Sequence, residues 1–207
     1  MIKPTVLIVD DTGFLEVGVG VACMARQYTG AAGRVTRCQA GVSLHLAFDA
    51  ASAAVDWCLV VPESWDLASP KADPTKAARR TNCGIPEEVG HVEKWQLALG
   101  VIEETRAWSI EVPLVVADGG YGGAAAFRLG LEKRGLEYVV GISSTTTAQP
   151  EEARRRIPPY GGRELGPQPV QHELAKAAKK LVIEAGKQAS NTCSGREAPA
   201  RAAAAAV

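Results

Sequence analysis

Two short stretches of the chain put acids where chemistry is done. "VLIVDDTGFL" (6–15) runs four apolar residues into Asp10 and Asp11, and "VVADGGYGG" (115–123) runs a second apolar segment into Asp118. Short apolar runs of this kind read as buried strands, each delivering its acid to a C-terminal edge. Successive side chains on a strand point to opposite faces, so Asp10 and Asp11 cannot share one task. A carboxylate from each of two neighbouring strands is a hard-oxygen ligand pair for Mg²⁺ or Mn²⁺. In two-metal phosphodiester chemistry one ion activates the attacking water or 3′-hydroxyl and the other stabilises the leaving oxygen, the ions lying about 3.5–4 Å apart. Asp11 and Asp118 are the candidate pair.

Other chemistries use acids at strand ends. A phosphorylated receiver domain needs a phosphoacceptor Asp on its third strand and a strand-terminal Lys further on. Asp49 and Asp56 lie at about the right distance, but no such Lys follows. A haloacid-dehalogenase-type phosphatase needs acids at alternate positions, and Asp10 and Asp11 are adjacent. The glycines after Asp118 (Gly119, Gly120, Gly122, Gly123) do not spell the dinucleotide fingerprint G-x-G-x-x-G. Small residues that let a strand turn tightly into a packed helix explain them equally well.

The elements needed to position these acids can be read from periodicity. Residues 13–33 are too glycine-rich for a long helix and read as an approach to a hairpin, with a helical turn or two as the alternative for "VACMARQY". "CQAGVSLHLAF" (38–48) alternates as a half-buried strand, and "AVDWCLVVPESW" (54–65) is a further β-rich run closed by Pro62. Residues 66–90 read as a polar surface loop. Val92, Trp95, Leu99 and Ile102 form one helical stripe. A second helix carries Ala125, Leu129 and Glu132 on one side and ends at Gly135, and "LEYVVGIS" is another strand. The order β-β-β-α-β-α-β, three hairpin-joined strands followed by alternation with helices, predicts an α/β fold. It is a ribonuclease-H-like mixed sheet with helices packed on it and a poorly ordered C-terminal tail.

The stretches "VDDTGFLEVG", "GVACMARQYTGAAGRVTRCQAGVSLHLA", "DWCLVVPESW", "GIPEEVGHVEKWQLAL" and "VVADGGYGGAAAFRLGLEKRGLEYVVGI" span roughly residues 5–147. Together they resemble the DDE-superfamily endonuclease domain of bacterial insertion-sequence transposases. The resemblance implies that Asp11 and Asp118 are the first two catalytic carboxylates and the metal ligands, with Asp10 facing away as a helper or structural acid. It implies a two-metal Mg (or Mn) cofactor, DNA at insertion-sequence ends as the partner, a homodimer as an option, and a cytoplasmic, nucleoid-associated setting. The family's third acid is a Glu on a later helix, often marked by Tyr-x-x-Arg-x-x-x-Glu-x-x-x-x-x-x-Lys. Here Tyr160 and Arg163 begin that spacing, but Pro167 and Leu174 stand at the Glu and Lys positions. Glu16 and Val17 also replace lysines usual after the first motif. Glu173 and Glu184 are the only helical candidates for the third acid, and Glu173, nearer its helix start, is the better one. The expectation is therefore the front part of a transposase, a truncated or frameshifted copy that does not transpose as it stands.

Bulk properties fit this reading without forcing it. The 207 residues carry 23 Lys/Arg and 23 Asp/Glu. Residues 1–127 hold 10 basic and 15 acidic side chains, whereas residues 128–187 hold 11 and 7. Arg26, Arg34 and Arg37 are candidates for phosphate contact. The five cysteines show no C-x-x-C spacing and read as small core residues in a reducing setting. No signal peptide or membrane-length apolar run is present in the sequence. The expected organisation is a partial endonuclease domain over 1–147, a Pro/Gly/Arg-rich linker over 148–170, a short helix over 171–190 and a low-complexity tail over 191–207. Two function classes remain open: a DNA strand-transfer enzyme, and a non-catalytic nucleic-acid-binding or residual domain.

Overall fold

Alternating burial turns the first apolar run into a strand with one face in the core. In β1 (Val6–Phe14), Leu7 and Val9 are fully buried. The computed structural model describes residues 4–15, 18, 20–149, 155–156, 170–171 and 175–186. Within them β1 is longer than its apolar run suggests. Its partner β3 (Arg34–Phe48) is 15 residues long and keeps pairing antiparallel out to Phe14 opposite Gln39. The acids thus stand inside the β1–β3 pairing. On the other edge of β1, parallel pairing with β5 (Leu114–Ala117) ends at Val9 opposite Ala117, just before them.

The main sheet runs β2-β3-β1-β5-β6, with β4 (Ala51–Leu59) also paired to β3. β2 (Ala25–Thr29) is the strand hidden in the glycine-rich approach, so "VACMARQY" yields a strand and not a helical turn. One more strand than expected precedes the first long helix. The antiparallel ribbon β2-β3-β1 and β4, extended by parallel β5 and β6 (Glu137–Val140), is the ribonuclease-H-like mixed sheet the sequence predicts.

Helices cover the face that carries Leu7 and Val9. Helix α2 (Lys94–Ala107) buries Leu99 and Ile102 as expected, while Val92 lies ahead of it and is exposed. Helix α4 (Ala125–Lys133) corrects the sequence reading, because it buries Phe127, Gly130 and Leu131 and leaves Leu129 46% exposed. Gly130 is the reason. It lets the Leu99 side chain of α2 approach so closely that a methyl group there would overlap it, and that contact selects the buried face.

Residues 66–90 are more than a loop. They include α1 (Ala77–Asn82), whose Arg80 is 4% exposed. A buried guanidinium needs acceptors, and Arg80 donates to the carbonyls of Trp65, Pro86 and Val89. Trp65, fully buried with Cys23, Met24 and Val61, donates its indole N–H to the Met24 carbonyl at 2.8 Å. Asp66 accepts the backbone N–H of His91 at 2.8 Å and of Ala68 at 2.9 Å, and these bonds hold its carboxyl below its ordinary range. Cys23 and Cys38 are buried free thiols, in keeping with the core role expected of them.

The chain divides into two units, residues 1–141 and 142–207. In the second, Thr147–Ala148 pairs with Lys176–Ala177, Arg155–Arg156 pairs with Val170–Gln171, and helix α5 (Ala178–Ala185) follows. The low-complexity tail expected over 191–207 lies outside the described residues, as do most of 148–170. Among the described residues no helix is long and apolar enough to cross a membrane.

Two stability measurements follow. Gly122→Ala would drive a methyl into the Gly141 carbonyl and Val140, and should cost about 1–3 kcal/mol. Gly100→Ala, at an exposed α2 position with nothing within 4 Å, should gain about 0.5–1 kcal/mol. Thermal midpoints moving in opposite directions would bear this out. The depressed Asp66 carboxyl contributes stability that is present above its unfolded value, about pH 4, and lost as pH falls through the folded one. Asp66→Asn should therefore melt below wild type at pH 7, and the gap should narrow on acidification below about pH 4.

Candidate active site

Pairing brings the two acids together. Val9 lies opposite Ala117, Asp118 follows Ala117 directly after the end of β5, and Asp11 is two residues beyond Val9 on β1. Asp11 shares the parity of Leu7 and Val9, so it lies on the helix-covered face. Asp10 has the opposite parity, as expected of adjacent strand residues. Its carboxylate accepts the Asp11 backbone N–H at 2.8 Å, and its own carbonyl accepts the Ser43 hydroxyl at 3.2 Å.

Asp118 ends β5 and caps the one-turn helix α3 (Gly119–Gly122), accepting the Gly120 N–H at 2.9 Å. The glycines after it serve packing. Gly122 lies against the Gly141 carbonyl, and the Arg128 guanidinium donates to the Gly122 carbonyl. The tight strand-to-helix turn is thereby accounted for without a bound nucleotide.

Two residues complete the surroundings of Asp11. The buried Tyr121 hydroxyl donates to Oδ1 and the Lys94 ammonium donates to Oδ2. Tyr121 is held by the Phe127 ring, 5.6 Å away between centroids. Burial raises its phenol far above the ordinary range, followed by the bond to Asp11 and the charges of Asp11, Asp118 and Asp10. Lys94 opens α2, where the positive end of the helix dipole disfavours a cation, and the Asp11 charge offsets that cost.

Sequence reasoning named Asp11 and Asp118 but not Tyr121 or Lys94. The signals were present: Tyr121 follows Asp118 by three residues, one helical turn, and Lys94 stands at the start of the stripe Trp95-Leu99-Ile102. Glu173 lies outside the described residues. Glu184, in α5 of the second unit, is ion-paired to Lys176 at 2.6 Å.

Two exposed carboxylates thus stand just past the last parallel pair of β1 and β5, on a mixed sheet backed by helices. The family described as DDE superfamily endonuclease matches residues 2–201, and the chain belongs to it. The match runs well past residue 147, where the resemblance read from the sequence ended, so the C-terminal segment is not unrelated to the family. No curated protein and no solved structure matches the chain. Nucleases of this superfamily generally use divalent metals and act on DNA.

The residues present suit one such ion. Their donors are hard carboxylate oxygens, and the Lys94 ammonium already stands on Asp11 as a cation would. Among the described residues no group of three or more His, Cys, Asp or Glu could hold a metal. Removing the resident cation should therefore favour a divalent one. In thermal-shift titrations with Mn²⁺, Lys94→Met should reach half-saturation at a concentration several-fold lower than wild type, since an exposed ion pair is worth up to about 1 kcal/mol. The Asp11→Asn/Asp118→Asn double variant should show no shift, and equal curves for all three proteins would contradict the competition.

Proposed function

We propose that this chain carries out metal-dependent DNA cleavage of the DDE transposase type, acting at insertion-sequence ends, with Asp11 and Asp118 as its first two carboxylates. The observation that carries the reading is the parallel register of β1 and β5, which sets Asp11 two residues and Asp118 one residue past the last parallel pair in a chain of this family. A bound Mg²⁺ or Mn²⁺ would supply Lewis-acid polarisation of the phosphate and an activated water or 3′-hydroxyl. The protein's part is positional. Asp11 and Asp118 offer the ligand oxygens, the Tyr121 hydroxyl orients Asp11, and the Asp118–Gly120 bond fixes the second carboxylate. Lys94, paired to Asp11, contributes a positive charge where a phosphate would approach.

The Lys94 ammonium already paired to Asp11 supports a second reading. On that reading the chain binds DNA without turning over. Supercoiled plasmid with Mn²⁺ separates the two. The endonuclease reading expects nicking by wild type that falls about a hundredfold or more in Asp11→Ala and in Asp118→Ala. Loss in Glu173→Gln as well would identify the third ligand. Plasmid left intact by wild type, with DNA still bound, would favour the non-catalytic reading.

A further inference from the structure

The β2–β3 ribbon carries charge of one sign. From residue 18 to residue 48 the sequence holds Arg26, Arg34 and Arg37 and no Asp or Glu, although the whole chain is neutral. Arg26 stands directly opposite Arg37 in the antiparallel register, so the two guanidiniums share one face of the ribbon. Like charges placed directly across strands are destabilising, and among the described residues neither arginine has an ion-pair partner. The next pair on that face, Tyr28 opposite Val35, is 66% and 52% exposed. A phenol and two forked guanidiniums on an open, acid-free face form a surface with one evident complement, a bridging polyanion.

The ribbon is tied to the acid site by packing and by continuity. Thr29, the last residue of β2, lies on Gly13 of β1 so closely that a methyl group there would overlap it. Gly13 is two residues past Asp11. Along β3, Arg37 is followed five residues later by Val42, the partner of Asp11, which is at most about 17 Å at strand rise. That is roughly half a turn of duplex DNA.

Building on the endonuclease reading above, we propose that the exposed face of the β2–β3 ribbon, Arg26, Tyr28 and Arg37, grips the phosphate backbone of duplex DNA on the side of the sheet that carries Asp10. Guanidiniums contact phosphate oxygens in forked geometry, and Tyr28 adds a hydroxyl and a flat surface against the sugar-phosphate chain. Such contacts position a duplex without reading its sequence. An acidic protein segment could meet the same charge. Duplex DNA is favoured because the chain's family acts on DNA; Arg37 shares the parity of Ser43, the partner of Asp10, so the ribbon face continues the Asp10 side of the sheet.

The test is fluorescence anisotropy with the full chain and a labelled 30-base-pair duplex of arbitrary sequence, in EDTA, across a range of NaCl. Arg26→Gln/Arg37→Gln should bind about tenfold more weakly near 0.1 M salt. Its salt slope should be shallower by about 1.8, at 0.9 per lost phosphate contact. It should melt no lower than wild type, because the substitution relieves a like-charge pair. Lys71→Gln/Lys133→Gln removes the same charge elsewhere and should leave affinity within about twofold. A wild-type slope in the arginine variant, or an equal loss in the lysine control, would overturn the proposal. Failure of wild type to bind DNA would sink it together with the endonuclease reading. Binding through the ribbon without nicking would sink only that reading.

Discussion

Three parallel register pairs, Leu7–Val115, Ile8–Val116 and Val9–Ala117, are the constraint on which the site depends. Parallel strands cannot be joined by a tight turn, and the connection between these two runs through β2, β3, β4, α1 and α2. What keeps β1 and β5 together is burial: Leu7, Val9, Val115 and Ala117 lie in one core with Leu99, Ile102, Phe127 and Leu131 from the helices. Apolar contact on that face thus fixes which polar residues emerge at its end. The acids owe their proximity to the core beneath them.

Around Asp11 local preference gives way to the site. A lysine at the first position of a helix opposes the dipole, and a phenol buried beside carboxylates is costly unless it donates. Both departures are resolved by the same carboxylate, which accepts from Tyr121 on one oxygen and Lys94 on the other. Two departures from local preference are thus gathered on one residue, a pattern found where a sequence serves something besides packing.

The sequence revealed those parts of the fold that rest on local periodicity. Alternation located β3 and β4, apolar runs ending in acids located β1 and β5, and the strand order followed from their sequence. Features that depend on tertiary partners were not legible. The true face of α4 is decided by Leu99 reaching Gly130, a contact between two helices that no window on α4 contains. β1 continues beyond its apolar run because β3 is long enough to pair with it. Helix α1 was lost within a polar loop because its buried face is an arginine, satisfied by three carbonyls, and not an apolar stripe. At the site, motif spacing named the acids. Tyr121 and Lys94 required knowing which helix ends converge on Asp11.

The base of the ribbon and the start of α2 share one brace. Met24, immediately before β2, accepts from the Trp65 indole, and Arg79 donates to the Val21 carbonyl at 3.2 Å. The next residue, Asp66, holds the His91 backbone, while the His91 ring donates to the Val61 carbonyl at 2.7 Å. Three residues after His91 comes Lys94. Arg80 ties Trp65 to the Pro86–Val89 segment between them. A buried tryptophan, a buried guanidinium and one carboxylate therefore set both the position of the basic ribbon and the reach of Lys94 to Asp11. The long excursion between β4 and α2 is accordingly a support: the same few hydrogen bonds that satisfy its polar groups tie the base of the ribbon to the segment that leads into Lys94.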